Sequence, residues 1–222
     1  TGNSNTYIGG RCGLVATTGT ENTGVGQAAL FSLTTGSSNT ALGRGTLLST
    51  TTASNNTAVG RNAMNVNTTG YDNVAVGRNS LDANTTGHSN TAVGESSLTT
   101  NTEGTRNVAI GQNAMSANTT GSENVAIGRN ALDANTTADR NVAVGDGALT
   151  SCTTGVGNVC IGHGAGESIN TGSGNVCIGE NAGDGINATN GKWNVAVGLN
   201  ALSASMTHFQ NTAVGQNALT AN

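Results

Sequence analysis

The chain has 222 residues, among them 34 Gly and no Pro, with 2% aromatic and 9% charged residues and a formal net charge of −4. Eight Lys and Arg leave no basic footprint for nucleic acid or an acidic membrane surface. No apolar run approaches the ~18 residues of a membrane span, and no signal-peptide pattern is present.

In chain order, the first recognisable phrase is Asn5-Thr6-Tyr7-Ile8-Gly9, and the pattern Asn-[Thr/Val]-x-[Val/Ile/Leu]-Gly then returns until there are thirteen copies. The leading Asn stands at 5, 22, 39, 56, 73, 90, 107, 124, 141, 158, 175, 194 and 211, a step of 17 except for the 19 between Asn175 and Asn194. A fixed period of this size marks a solenoid, in which each unit buries its surface against its neighbours. The repeat predicts one elongated domain over 1–222, with a single 19-residue unit at 175–193. Both ends fall inside repeats, which predicts a piece of a longer fibre.

Counted from its Asn, a unit reads N-[T/V]-A-[V/I]-G-x-N-A-L-x-x-N-T-T-G-x-x. Gly at position 5 is invariant, as expected where the backbone turns with positive φ, and Thr-Thr-Gly near positions 13 to 15 supplies a second corner. Segments between corners are too short for helix, and their β-branched residues favour strand. The expected fold is therefore all-β, a parallel β-solenoid or β-roll of thirteen coils, each with two short strands and two turns.

Size compensation orients the strand. Position 9 is Leu or Met in ten units but Gly at Gly13, Gly166 and Gly183, and in those units alone position 3 grows beyond Ala or Gly, to Tyr7, Cys160 and Cys177. Positions 3 and 9 should share one enclosed space, because packed interiors punish both voids and overfilling. Ile169 and Ile186 at position 12 refill the remaining volume. Strand side chains alternate, so positions 2 and 4 face out. Position 4 is aliphatic in every unit, which predicts a stripe too large to remain in water. The candidate homo-oligomer interface is Val59, Val74, Val76, Val93, Val108, Ile110, Val125, Ile127, Val142 and Val144. The leading Asn residues should stack as a side-chain hydrogen-bond ladder.

Little points to chemistry. His88, His163 and His208 fall at three different unit positions and form no metal set, so no metal, cofactor or catalytic residue is assigned. Asn67, Asn84, Asn118 and Asn135 match the glycosylation sequon but are read as a turn motif. Cys160 and Cys177, at the same position of adjacent coils, should have Cα atoms about 4.8 Å apart, which admits a disulfide or two stacked buried thiols. At position 6, Arg44, Arg61 and Arg78 stack in consecutive coils, a positive line able to hold phosphate or sulfate groups of a glycan, or simply an exposed polar edge. Lys192 and Trp193 stand beside the two-residue insertion, where the indole either stacks on a sugar or covers the bulge.

Val74-Ala75-Val76-Gly77, Val108-Ala109-Ile110-Gly111 and Val125-Ala126-Ile127-Gly128 resemble the V-A-I-G repeats in the heads of trimeric autotransporter adhesins. The longer unit from Asn124 to Thr137 is similar to repeats of phage tail-fibre-domain proteins and related bacterial surface fibres. The resemblance spans essentially the whole chain. It implies a left-handed roll, a trimer, and an extracellular place on a cell surface or virion, with a shaft or head role and a cell-surface glycan as possible receptor. Two rival readings stand beside it: a filament of head-to-tail stacked solenoids, and an ice- or surface-binding solenoid using the Thr-Thr rows, which Glu103, Asn170, Ala188 and Met206 interrupt. A polysaccharide-cleaving enzyme would need a carboxylate pair in a groove, and the acids here are scattered.

Overall fold

Each repeat turns its corner at a glycine that no other residue could replace cheaply. In the computed structural model, which describes residues 2–186, 191–203 and 209–220, the position-5 glycines have φ between 123° and 140°, a region that L side chains rarely adopt. A Cβ on Gly128 would also lie 2.3 Å from the carbonyl oxygen of Gly145 in the next coil. Conformation and close approach therefore demand glycine independently.

The three residues before each such glycine form a strand: β1 (Thr6–Ile8), β2 (Thr23–Val25), β3 (Thr40–Leu42), β4 (Thr57–Val59), β5 (Val74–Val76), β6 (Thr91–Val93), β7 (Val108–Ile110), β8 (Val125–Ile127), β9 (Val142–Val144), β10 (Val159–Ile161), β11 (Val176–Ile178), β12 (Val195–Val197) and β13 (Thr212–Val214). There is no helix among the described residues. The chain forms two compact units, Thr1–Asn107 with β1 to β6 and Val108–Asn222 with β7 to β13. Within each, the strands pair in parallel and in chain order, with the register of the repeat itself: Thr57, Ala58 and Val59 face Val74, Ala75 and Val76, and Val125, Ala126 and Ile127 face Val142, Ala143 and Val144. The fold is thus all-β, a parallel β-solenoid with a repeat of about 17 residues.

Among the described residues the expected second strand of each coil is absent. Positions 6 to 11 form consecutive turns, because positions 7 and 9 both take left-handed backbone, as at Asn79 (φ 57°) and Leu81 (φ 52°) or Asn113 (φ 57°) and Met115 (φ 52°). Asn tolerates this conformation, whereas Leu and Met do not favour it. They are held there by burial, since Leu81 and Met115 are fully enclosed. The backbone ladder continues without extended geometry: the N–H groups of Asn79, Leu81 and Ala83 donate to the carbonyls of Arg61, Ser97 and Thr99 in the flanking coils at 3.1, 2.9 and 3.0 Å. At the second corner the N–H groups of Thr68, Thr69 and Gly70 converge on the one carbonyl of Thr85, each at 3.1 Å. A sharp bend is thereby made without orphaned amides.

The core is filled from positions 3, 8, 9 and 12. The compensation between positions 3 and 9 is direct: a Cβ on Gly13 would meet the Tyr7 ring at 2.7 Å, on Gly166 the Cys160 Sγ at 2.6 Å, and on Gly183 the Cys177 Sγ at 2.3 Å. Ile169 and Ile186 are buried beside the last two glycines, their Cδ1 atoms 3.1 and 3.0 Å from the same notional Cβ positions.

Two ladders of buried asparagine line the coil. In the expected one, Asn73 donates its backbone N–H and its Nδ2 to Asn56 Oδ1, at 3.1 and 3.2 Å, and its Nδ2 also to the Gly87 carbonyl at 2.9 Å. The second consists of the position-12 asparagines. Nδ2 of Asn84 donates to Asn67 Oδ1 at 2.7 Å, that of Asn101 to Asn84 Oδ1 at 2.9 Å, and that of Asn135 to Asn118 Oδ1 at 2.7 Å. Asn67, Asn84, Asn118 and Asn135 are fully buried. The triplets read as turn motifs therefore supply interior hydrogen bonds, and their amides are closed to glycosylation in the folded chain.

Candidate functional site

The outer two residues of the strands carry the predicted apolar stripe in each unit. Every strand from β2 to β13 has its middle residue buried and its outer two at least partly exposed. Val74, Val76, Ile110 and Ile127 are exposed at 36–38%, and Val59, Val93, Val108, Val125, Val142 and Val144 are half-buried. The two units present this face differently. In Thr1–Asn107, position 2 is Thr in five of the six strands; in Val108–Asn222 it is Val from β7 through β12. The apolar surface is therefore two columns wide in the second unit and flanked by threonine in the first. The sequence shows this partition directly, although a count of Val against Thr hides it.

The row of position-6 arginines is divided by pairing. Arg78 forms an ion pair with Glu95, and Arg129 one with Asp146 at 2.9 Å, each acid lying one coil further on in the same column. Arg44 and Arg61 are followed in their column by Arg61 and Arg78 instead, and neither enters an ion pair among the described residues. These two line a groove of about 320 Å³ with Arg11, Gln27, Asn62 and Asn65. Arg78 does not line that groove. Arg11, which stands at position 7 of the first coil and gave no columnar signal, joins Arg44 and Arg61 there.

Lys192 and Trp193 lie in the other unit, both exposed. Trp193 is 60% exposed, has φ 56°, and lays its ring edge over Gly174 of the preceding coil, where a Cβ would meet Cδ1 at 2.8 Å. It covers that glycine and leaves most of the indole in solvent. The inserted segment lies partly outside the described residues, as do His208, Ala188 and Met206.

The threonine rows have two environments. Position-13 hydroxyls are occupied: Oγ1 of Thr68 and Thr85 each donates to the carbonyl of the corresponding threonine one coil on, at 3.0 Å. At position 14, Thr18, Thr35, Thr52, Thr69 and Thr86 are exposed in five consecutive coils, after which comes exposed Glu103.

All four cysteines are free. Cys160 and Cys177 face each other in strand register without a disulfide, because stacked side chains in parallel strands point alongside rather than toward one another. The hydrogen bond with Cys177, then burial, pushes the Cys160 thiol well up, and burial pushes Cys152 up to about 11. Since the thiolate is the nucleophile, native protein should react with a thiol reagent at no more than one position, half-buried Cys12. Denatured, unreduced chain should label at all four; labelling at two would show a Cys160–Cys177 bond. No cluster of three or more His, Cys, Asp or Glu suited to a metal occurs among the described residues.

Fold and surface together define the class, a parallel β-solenoid with an apolar outer sheet face and an arginine-lined groove. No protein-family model, curated protein or solved structure matches the chain.

Proposed function

We propose that the chain is a non-catalytic structural and adhesive fibre protein, the shaft or head of a phage tail fibre or bacterial surface adhesin, whose sheet face is covered by further copies of itself. The observation that carries this reading is the face on β7 to β12, where columns of Val at position 2 and Val or Ile at position 4 stand half-exposed in every coil. An apolar surface repeated once per coil is matched along its length only by a partner of equal coil spacing, and a second copy of this chain has that spacing by construction. The likeness of Val108-Ala109-Ile110-Gly111 and Val125-Ala126-Ile127-Gly128 to V-A-I-G adhesin-head repeats favours three copies and an extracellular place.

Light scattering of the intact chain should give three times its 21.8 kDa mass. Changing Val76, Ile110 and Ile127 together to Asp should return the single-chain mass, because each carboxylate would have to be buried unpaired in the interface. A wild-type monomer at all concentrations overturns the assembly; growth without limit supports head-to-tail filaments instead. The exposed column Thr18 to Thr86 favours the surface-binding reading, and a stable monomer that retards ice growth would establish it.

A further inference from the structure

We propose that the groove around Arg44 and Arg61 binds a polysaccharide bearing sulfate or phosphate esters. The ester anions would bridge guanidinium groups of successive coils, while the amides of Gln27, Asn62 and Asn65 would meet sugar hydroxyls.

Four observations carry this assignment. First, like charges are stacked here without relief. Arg44 and Arg61 occupy one column in adjacent coils, about 4.8 Å apart along the sheet direction, and neither makes an ion pair or side-chain hydrogen bond among the described residues. Elsewhere in that column, at Arg78 with Glu95 and Arg129 with Asp146, an acid one coil on neutralises the arginine. The groove is thus where the column's charge is left for an external partner.

Second, the charge is concentrated: residues 1–71 hold Arg11, Arg44 and Arg61 against a single acid, Glu21, which accepts a hydrogen bond from Ser38 Oγ at 3.2 Å. All three arginines line the groove. Third, the concavity of about 320 Å³ lies at the small end of ligand sites, and its arginines present planar forks suited to bidentate contact with tetrahedral oxyanions.

Fourth, the remaining lining selects among polyanions. It contains no aromatic ring on which a base could stack. Amides beside guanidinium groups are complementary to a hydroxylated, esterified sugar chain.

The proposal does not depend on the oligomeric state, and its test reads a different quantity. Binding of heparin fragments, followed by calorimetry at two salt concentrations, should be saturable and weaken with salt. The Arg44→Gln/Arg61→Gln variant should bind at least roughly tenfold more weakly while melting as wild type does, since both side chains are exposed. Arg78→Gln should change affinity by no more than about twofold, its charge already being satisfied. Glu95→Gln should tighten binding, because it releases Arg78 into the same column. Desulfated heparin should fail to bind, and a phosphomannan measured in parallel assigns the ester by whichever probe binds more tightly. Unchanged heparin affinity in the double variant overturns the site. Equal affinity for a single-stranded oligonucleotide of matched charge overturns the glycan assignment.

Discussion

Gly128→Ala should unfold the coil it closes, with a loss on the order of 4 kcal/mol and a fall in Tm of about 10 °C or more. Two penalties combine. The backbone there has φ 137°, which alanine reaches only with strain, and the new Cβ would lie 2.3 Å from the Gly145 oxygen and 2.5 Å from its carbon. Relief would require moving the neighbouring coil, and that coil is hydrogen-bonded to the next. Gly147 is the matched contrast. It also has positive φ, 67°, but a Cβ there meets nothing within 4 Å, and its unit position is occupied by Asn in Asn62, Asn79, Asn113 and Asn130 at similar angles. Gly147→Asn should therefore stay within ~0.5 kcal/mol of wild type. Thermal melts followed by circular dichroism compare the two; equal Tm values for both variants would show that the position-5 corner does not require glycine.

The asparagine ladders should give an effect of similar size and, at one point, the opposite sign. Asn73→Ala removes the acceptor for the Asn90 N–H at 2.9 Å and the Asn90 Nδ2 at 3.2 Å, together with the two hydrogen bonds its own Nδ2 donates. The Asn90 backbone N–H is left buried without a partner, although its Nδ2 keeps the Gly104 carbonyl at 2.9 Å, and the summed loss is about 3 to 5 kcal/mol. The second ladder ends on an opposite defect. Asn135 Oδ1 is buried with no hydrogen-bond partner, because the next residue in its column is Cys152, whose thiol instead donates to the Gly155 carbonyl at 3.5 Å. Cys152→Asn supplies an Nδ2 where Asn84 supplies one to Asn67, and should raise stability by about 1 kcal/mol, or about 2 to 4 °C. A lower melting temperature for Cys152→Asn would show that the site lacks room for the amide.

Much of this was legible one column at a time. The exchange of Ala and Leu for Cys and Gly at positions 3 and 9 located the interior, and the aliphatic residues at position 4 located the outer face, because each column records one environment repeated thirteen times. Other signals were present but easily misread. Asn at position 12 recurs in five consecutive units, and in four of them, Asn67, Asn84, Asn118 and Asn135, it resembles a glycosylation sequon until the column is seen to be buried. Glu95, 17 residues after Arg78, announced the ion pair that sets Arg78 apart from Arg44 and Arg61.

What the sequence determined by itself was the period, the parallel register and the side of the strand that faces inward, all of which follow from repetition and from volume. The tertiary structure alone decided the path between corners. Leu81 and Met115 give no local sign of left-handed backbone, and they adopt it because only that path carries their side chains into the core while their N–H groups still reach the flanking coils. It also decided which arginines meet in one groove, since Arg11 belongs to a different column from Arg44 and Arg61 and lines the same groove. Columns are encoded along the chain; the spaces between columns exist only once the coil is closed.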